Sequence, residues 1–556
     1  MSRKILLIEP AYKNKYPPLG LMKISSYHKM LGDEVIFFKG KSKELREIKW
    51  DRIYITTLFS FYWNMTIDTI KFYKRSVKKI KDFYIGGIMS SLMADNIFNE
   101  TGIKPVVGLL DKPKMLNDNN DIIVDHVVPD YDILEEIDYA YPAGNAYFFY
   151  TTRGCVRKCP FCAVPKLEPK YKNYISIKEQ IKEIDRKYGH KKNLLLLDNN
   201  VLASKHFPKI IEEIKKIGFY KGAKYQHPIK FNLLIERLRN GENNTALLQK
   251  ISNLIRVQPL YIKNETARNN YFKLLEHFDL SNGINRKQLL SAQHEIMPYF
   301  DKYRNKAYGL RYVDFNQGID PRLITEEKMK LLSEIPISPL RIAFDSLEPE
   351  YKKRYIRAIE LAAKYGIKNL SNYILYNWDN DTPNDFYNRL KINTDLNSNL
   401  DVRIYSFPMK YIPVINKNRN YIGPYWNLKY IRAIQKVLLV TGGAVMPERS
   451  FFEKAFGKDL QEFHKIMLMP EDYIIYRKKH ESNGDTKQWW NIFKSLSKEE
   501  YNEVIKIIET KNLDDAEQMI PNKKIIGLLK HYRRKKPQHV DTLSLFKEMG
   551  RESLLM

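Results

Sequence analysis

Cysteine is almost missing from this chain: three residues in 556, at Cys155, Cys159 and Cys162, all inside eight positions of the stretch TTRGCVRKCPFC. An odd number of crowded thiols excludes a disulfide framework and leaves metal binding or catalysis. Long apolar runs are missing as well. No uninterrupted stretch approaches the roughly 20 residues of a membrane span, and MSRKILLIEP lacks the apolar core and cleavage site of a signal peptide. The expectation is a cytoplasmic protein with no membrane partner. Acidic charge is also in short supply, with 65 Asp and Glu against 93 Lys and Arg, a formal net charge of +28. Such an excess attracts polyanions and makes their binding salt-sensitive. Abundant Lys, Asn, Ile and Tyr would equally follow from AT-rich coding sequence, so the charge alone leaves both origins open.

The chain is too long for one hydrophobic core, and two to four domains are expected. Residues 1–125 alternate apolar runs (Ile5–Ile8, Val35–Phe38, Ile53–Leu58, Phe83–Ile85, Val106–Leu109) with helical stretches such as Leu21–Leu31 and Thr66–Val77. That pattern predicts a Rossmann-like parallel sheet. Residues 126–145, rich in Pro, Asp and Tyr, read as a linker. Residues 146–424 carry six further strand candidates, Ala146–Thr152, Asn193–Leu197, Arg311–Phe315, Leu340–Phe344, Asn372–Tyr376 and Val402–Phe407, with helices between most of them. The fold class is therefore α/β, with a partial (β/α)6 barrel in second place. About residues 219–308 interrupt the rhythm as a basic helical insertion, expected on a βα loop, and 425–556 read as mainly helical.

Three soft thiolates in C-x3-C-x2-C spacing suit one metal centre. Structural zinc prefers four protein ligands, and no fourth cysteine exists. A [4Fe–4S] cluster on three cysteines leaves one iron open. CVRKCPFC, with Phe161 before the last cysteine and the whole motif directly after the first strand of a six-unit β/α series, resembles the radical S-adenosylmethionine (SAM) superfamily. The resemblance implies a [4Fe–4S] cluster on Cys155, Cys159 and Cys162, reductive cleavage of S-adenosylmethionine to a 5′-deoxyadenosyl radical, and a flavodoxin or ferredoxin as reductant. It places Phe161 near the adenine. Asp198, Asn199 and Asn200 in LLLLDNNVLAS stand where the family holds the methionine amino group, in place of its usual Gly-Gly-Glu. Asn316, Gln317 and Arg322 in FNQGIDPRL, Asp345 and Ser346 in AFDS, and Tyr405 and Met409 in YSFPMKYIP complete the candidate set. Arg322 is suited by its fork to a cofactor carboxylate.

The first domain, with its PPLGL stretch, resembles the cobalamin-binding domain of the B12-dependent class, which makes cobalamin a possible further cofactor. Its common Asp-x-His-x-x-Gly loop is missing, and His28 falls in a helical pattern. The missing cysteines exclude second-cluster methylthiotransferases, auxiliary-cluster maturases and methyltransferases with an acceptor cysteine. Single-cluster chemistry remains. Basic residues of the insertion and of the tail HYRRKKPQH, interleaved with Tyr220, Tyr225, Tyr261, Tyr271 and Tyr532, favour a nucleic acid, tRNA before DNA. The alternatives are a peptide or small metabolite, including cobalamin-dependent methyl transfer, and a metal-stabilised nucleic-acid-binding protein without catalysis. Phe451, Phe452, Phe456 and His464 read as packing.

Overall fold

The computed structural model describes residues 2–242, 245–280, 284–510, 513 and 522–533. The chain divides into two compact units, Met1–Gln317 with Leu331–Ser338, and Gly318–Lys330 with Pro339–Met556.

In the first unit, β1 (Lys4–Glu9), β2 (Glu34–Lys39), β3 (Arg52–Thr57) and β4 (Phe83–Gly87) form a parallel sheet in the order β2-β1-β3-β4. KILLIE is apolar on both faces because helices cover both, as a parallel sheet requires. Leu6, Ile8, Ile53, Ile55 and Ile85 pack there against Trp63, Ile67 and Ile70 of the helix Trp63–Tyr73. The run Val106–Leu109 is not a strand. Pro105 has no N–H to donate and Gly108 turns at φ +83, so only Val106 reaches the sheet, through its N–H to the Ile85 carbonyl.

A second parallel sheet of this unit begins with β5 (Ala146–Phe149) and β6 (Asn193–Leu196). The ribbon strands β7 (Lys224–Tyr225) and β8 (Gly309–Leu310) pair antiparallel and lead into β9 (Tyr312–Phe315), which joins the sheet in the order β5-β6-β9. The insertion forms the helices Lys230–Arg239, Thr245–Val257, Glu265–His277 and Arg286–Lys302 around its own core of Phe231, Ile235, Ile251, Tyr271, Leu289 and Ile296. It leaves after the helix Phe207–Lys216 and returns at the start of β9. It therefore sits on an αβ connection, at the amino ends of the strands, and not on the βα loop expected from the sequence. Several of its cations are spent on structure: Arg237 and Lys250 bind Asp132, at 2.6 and 2.7 Å, and Lys230 binds Glu135 at 2.7 Å.

The second unit holds β10 (Leu340–Arg341), β11 (Asn369–Tyr376) and β12 (Arg403–Lys410), parallel and in that order. Six parallel strands thus occur in the expected sequence, as two three-stranded sheets. Leu370, Asn372 and Ile374 of β11 and Ile404 and Ser406 of β12 are buried, whereas Tyr373, Tyr405, Phe407 and Met409 are less so, leaving an open aromatic face. Asn372 and Ser406 bond to Tyr355 and Asn393 of the helices Pro349–Lys364 and Pro383–Asn399, which fixes the buried face as the helix-covered one. The remainder is helical, from Leu428–Val440 to Lys523–Leu529. Phe452 and Phe456 are core, and His464 bonds the Tyr430 hydroxyl at 2.8 Å. Tail residues from Arg534 onward lie outside the described residues. Among the described residues, no helix is long and apolar enough to cross a membrane.

Candidate active site

The carboxyl ends of β5, β6 and β9 gather the cysteine loop, the Leu197–Asn200 segment and Asn316–Gln317 at one end of their sheet. Functional residues concentrate at that end in β/α folds. Asp198 organises it. Its carboxylate is fully buried and accepts from the N–H and Oγ of both Thr151 and Thr152, with hydroxyl distances of 2.7 and 2.6 Å. Burial pushes the Asp198 carboxyl above its ordinary range, against the pull of those donors. Asp198, expected at the cofactor, pins the first turn of the cysteine loop to the end of β6.

The next turn is held from the other side. Glu168 accepts the Gly154 N–H at 2.7 Å and the Asn199 amide at 3.0 Å, and its second oxygen takes Arg153 at 2.6 Å. Asn199, expected at the cofactor, is thus engaged by Glu168. Gly154 stands at φ +72, where a Cβ would lie 2.5 Å from the Lys170 carbonyl oxygen, so only glycine fits. Arg153 lies 3.5 Å over the Tyr150 ring and binds Asp125 at 2.8 Å, and Lys23 in turn bonds Asp125. Tyr16 donates to Asn316 Oδ1 at 2.5 Å. Residues from the first sheet's domain therefore brace the cysteine loop and the end of β9. Lys23, Asp125, Arg153 and Glu168 carry no signal in the sequence, since their pairing spans up to 102 positions.

Cys155, Cys159 and Cys162 are half-buried on this loop, with a turn closed by the Cys162 N–H to the Cys159 carbonyl at 3.0 Å. Among the described residues, no group of three or more His, Cys, Asp or Glu is arranged to hold a single metal ion. Tetrahedral zinc at about 2.3 Å per thiolate would need sulfurs about 3.8 Å apart. Cys155 Sγ accepts the Arg157 N–H at 3.4 Å and the Asn200 amide at 3.5 Å. Asn200 is 3 % exposed, and its Oδ1 is buried with no hydrogen-bond partner. Phe161 is half-buried beside the last cysteine, and Gln317 is exposed.

Within the second unit, Arg322 forks onto Asp320, at 2.7 and 3.0 Å, so the guanidinium expected at a cofactor carboxylate already has one. Ser346 caps the turn into the helix Pro349–Lys364 by accepting the Glu348 N–H at 3.0 Å. Burial pushes Asp345 up to about 6, opposed by Arg389 and Arg322. A carboxyl raised in the folded state stabilises below its unfolded value near 3.8, and this contribution is lost as pH rises through about 6. Asp345→Asn is expected to remove about 2–3 kcal/mol of pH dependence between pH 4 and 7. Urea midpoints at the two ends of that range check it, and an unchanged slope in the variant would contradict it. Arg389, which no sequence pattern marks, is a buried cation at this strand end.

A parallel α/β sheet with three cysteines in C-x3-C-x2-C spacing at a strand's carboxyl end defines a class, and residues 149–247 match the family model of the Radical SAM superfamily. The chain carries a radical SAM domain and is an enzyme of that class. No curated protein matches it by sequence. Similar solved structures include TsrM of Kitasatospora setae, a radical S-adenosylmethionine methyltransferase with cobalamin and a [4Fe–4S] cluster bound. It aligns at 14 % identity and TM-score 0.40, over 75 % of this chain and 77 % of that one. The same enzyme with tryptophan and aza-SAM aligns at 14 % and 0.41, over 74 % and 75 %. The cobalamin-dependent enzyme OxsB aligns at 11 % and 0.37, over 95 % and 74 %. The likeness is loose in each case.

Proposed function

We propose that Cys155, Cys159 and Cys162 bind a [4Fe–4S] cluster with S-adenosylmethionine at its open iron, and that the substrate is a small molecule or peptide with an aromatic or apolar group. Asn200 carries the cofactor reading. Its amide N–H meets the Cys155 sulfur, and its buried, unpaired Oδ1 suits an ammonium donor such as the amino group of S-adenosylmethionine. When bound, the cluster supplies the electron for reductive cleavage. The chain's own part is to hold: Asp198 and Glu168 fix the loop, and Asn200 orients a sulfur and an amine together.

The nucleic-acid reading loses its main support, because the insertion's cations are partly paired and stand at the amino ends of β5, β6 and β9. Tyr373, Tyr405, Phe407 and Met409 on the open face of β11 and β12 favour an apolar or aromatic group instead.

Cobalamin is supported by the carboxyl edge of the first sheet, where strand order reverses between β1 and β3. Phe59, 49 % exposed, Phe61 and Tyr62 form a chain of rings 5.2 and 4.8 Å apart, and nothing lies within 4 Å of a Cβ built on Gly86. This is a platform for a flat macrocycle whose chemistry is methyl carriage. His28 is not a cobalt ligand: it is fully buried between Asp33 and Tyr54, and burial lowers it to about 4.

Anaerobic reconstitution tests the reading. The wild type should take up about four irons per chain, with an electron paramagnetic resonance spectrum that changes on adding S-adenosylmethionine. Asn200→Ala should keep the iron and bind S-adenosylmethionine about tenfold more weakly, about 1.4 kcal/mol. Uptake of a single iron, or unchanged affinity in the variant, would overturn it.

A further inference from the structure

A second site lies at the root of the insertion, away from the cysteine loop. There Lys224 on β7, the segment His227–Ile229, Arg304 after the helix Arg286–Lys302, and Arg311 before β9 enclose a cleft of about 320 Å³. It opens at the amino ends of the strands whose carboxyl ends carry the cysteines.

The cleft's wall contains Lys224, Arg304, Arg311, His190 and His227 and no carboxylate. Two of these have acidic partners behind them: Arg304 binds Asp301 at 3.0 Å, and His190 binds Asp185 at 2.8 Å. Among the described residues, none pairs with Lys224 or Arg311. Arg311 is 8 % exposed and rigidly held, with Nη1 on the Gly218 carbonyl at 3.1 Å, Nη2 on the Lys191 carbonyl at 2.8 Å, and Phe219 4.2 Å beneath the guanidinium. Its Nε–H is buried without a partner. A buried guanidinium is always charged, and leaving it without an anion is costly.

The cleft continues through His227, Ile229 and Arg304 into a second one of about 250 Å³, walled by Phe231, Leu254, Phe300 and Tyr261. One half is cationic and the other apolar and aromatic. From this we infer that the root of the insertion binds a small organic phosphate, its phosphoryl group between Lys224, Arg304 and Arg311 and its ring or apolar part against the aromatic half. A phosphoryl group fits better than a carboxylate, because its three acceptor oxygens and double charge match several donors converging from different elements. A free organic phosphate is preferred to a polymer because the cationic wall is confined to one cleft and gives way to an apolar, aromatic half, while Arg237, Lys250 and Lys230 are paired with Asp132 and Glu135.

Isothermal titration of the full chain with adenosine monophosphate, inorganic phosphate and a single-stranded 12-nucleotide RNA tests the inference. Adenosine monophosphate should bind more tightly than about 1 mM, with inorganic phosphate competing. The double variant Lys224→Gln, Arg304→Gln should weaken it at least tenfold, and Lys224→Gln alone should weaken it measurably, both with unchanged circular dichroism and unchanged iron uptake at the cysteines. No saturable binding of either phosphate, or binding indifferent to both variants, overturns the inference. RNA binding more than tenfold tighter than adenosine monophosphate overturns it in favour of a polymer. Iron uptake and cleavage of S-adenosylmethionine are scored separately, so failure here leaves the reading of the cysteine loop standing.

Discussion

Asp198→Ala is expected to lower stability by about 3–5 kcal/mol and, in whatever protein still folds, to cut iron uptake at the cysteines severely. The carboxylate it removes takes four donors, the N–H and hydroxyl of Thr151 and of Thr152, in a site with no exposure. Hydrogen bonds to a charged group contribute about 1.5–3 kcal/mol each, and orphaned buried donors add their desolvation cost, although the terms do not sum in full. The same four bonds tie the end of β5 to the end of β6, and Cys155 follows three residues after Thr152. A positioning residue is distinguished from a merely structural one by the comparison with Asp198→Asn. That variant keeps the volume and two acceptor lone pairs, so it should recover part of the stability while its reduced cluster still gives an altered paramagnetic spectrum. If Asp198→Ala folds and loads iron as the wild type does, the assignment of this carboxylate is wrong.

Arg389→Met should be the most damaging single change in the second unit, again by about 3–5 kcal/mol. Arg389 is 1 % exposed; Nη2 binds the Leu375 carbonyl at 2.9 Å and the Asp381 carboxylate, and Nη1 binds the Asp345 carbonyl at 3.2 Å. It thereby joins the end of β11 to the segment after β10. Methionine fills the volume but leaves the Asp381 carboxyl and the Leu375 and Asp345 carbonyls buried without their donor; burial already pushes Asp381 up to about 7, and without Arg389 it takes a proton, so the unmet polar groups set the size of the loss. The double variant Arg389→Met, Asp381→Leu should therefore regain a large part of it, because replacing both partners of a buried pair is far less costly than removing one. Lysine at 389 should fall between, since a point charge cannot serve carboxylate and carbonyls from one planar fork. Denaturant midpoints for the four proteins close the cycle, and a double variant no better than Arg389→Met would refute the account.

How much of this was legible beforehand depends on the range of the interaction. The alternation of apolar runs with helical stretches placed β1 to β4 and the six later strands, because strand and helix periodicity is local. The run Val106–Leu109 failed for a local reason that the sequence does contain, Pro105, whose missing N–H was outweighed by apolar content. A polar, basic segment shows that an insertion lies at the surface but not at which end of a sheet. Only the pairing of β7 with β8, leading into β9, fixed that.

Among the site residues, position after a strand singles out Asp198, Asn199, Asn200, Arg322 and Asp345, yet it cannot assign what each side chain touches. Arg322 turned to Asp320 two residues away, and Asn199 to Glu168. Asn200 was one of three neighbouring polar residues until the fold buried its amide against Cys155.

The sequence by itself determined the chemistry available: three thiols at C-x3-C-x2-C spacing and no others limit any thiolate-bound centre to one loop, because that count and spacing need no folding to be read. Tertiary structure decided which groups serve that centre and which serve the fold. Lys23, Asp125, Arg153 and Glu168 come from remote positions to brace one turn, and Arg311 is left with an unpaired N–H at the far end of the sheet. Burial and hydrogen-bond satisfaction are properties of side chains brought together, and no spacing along the chain encodes them.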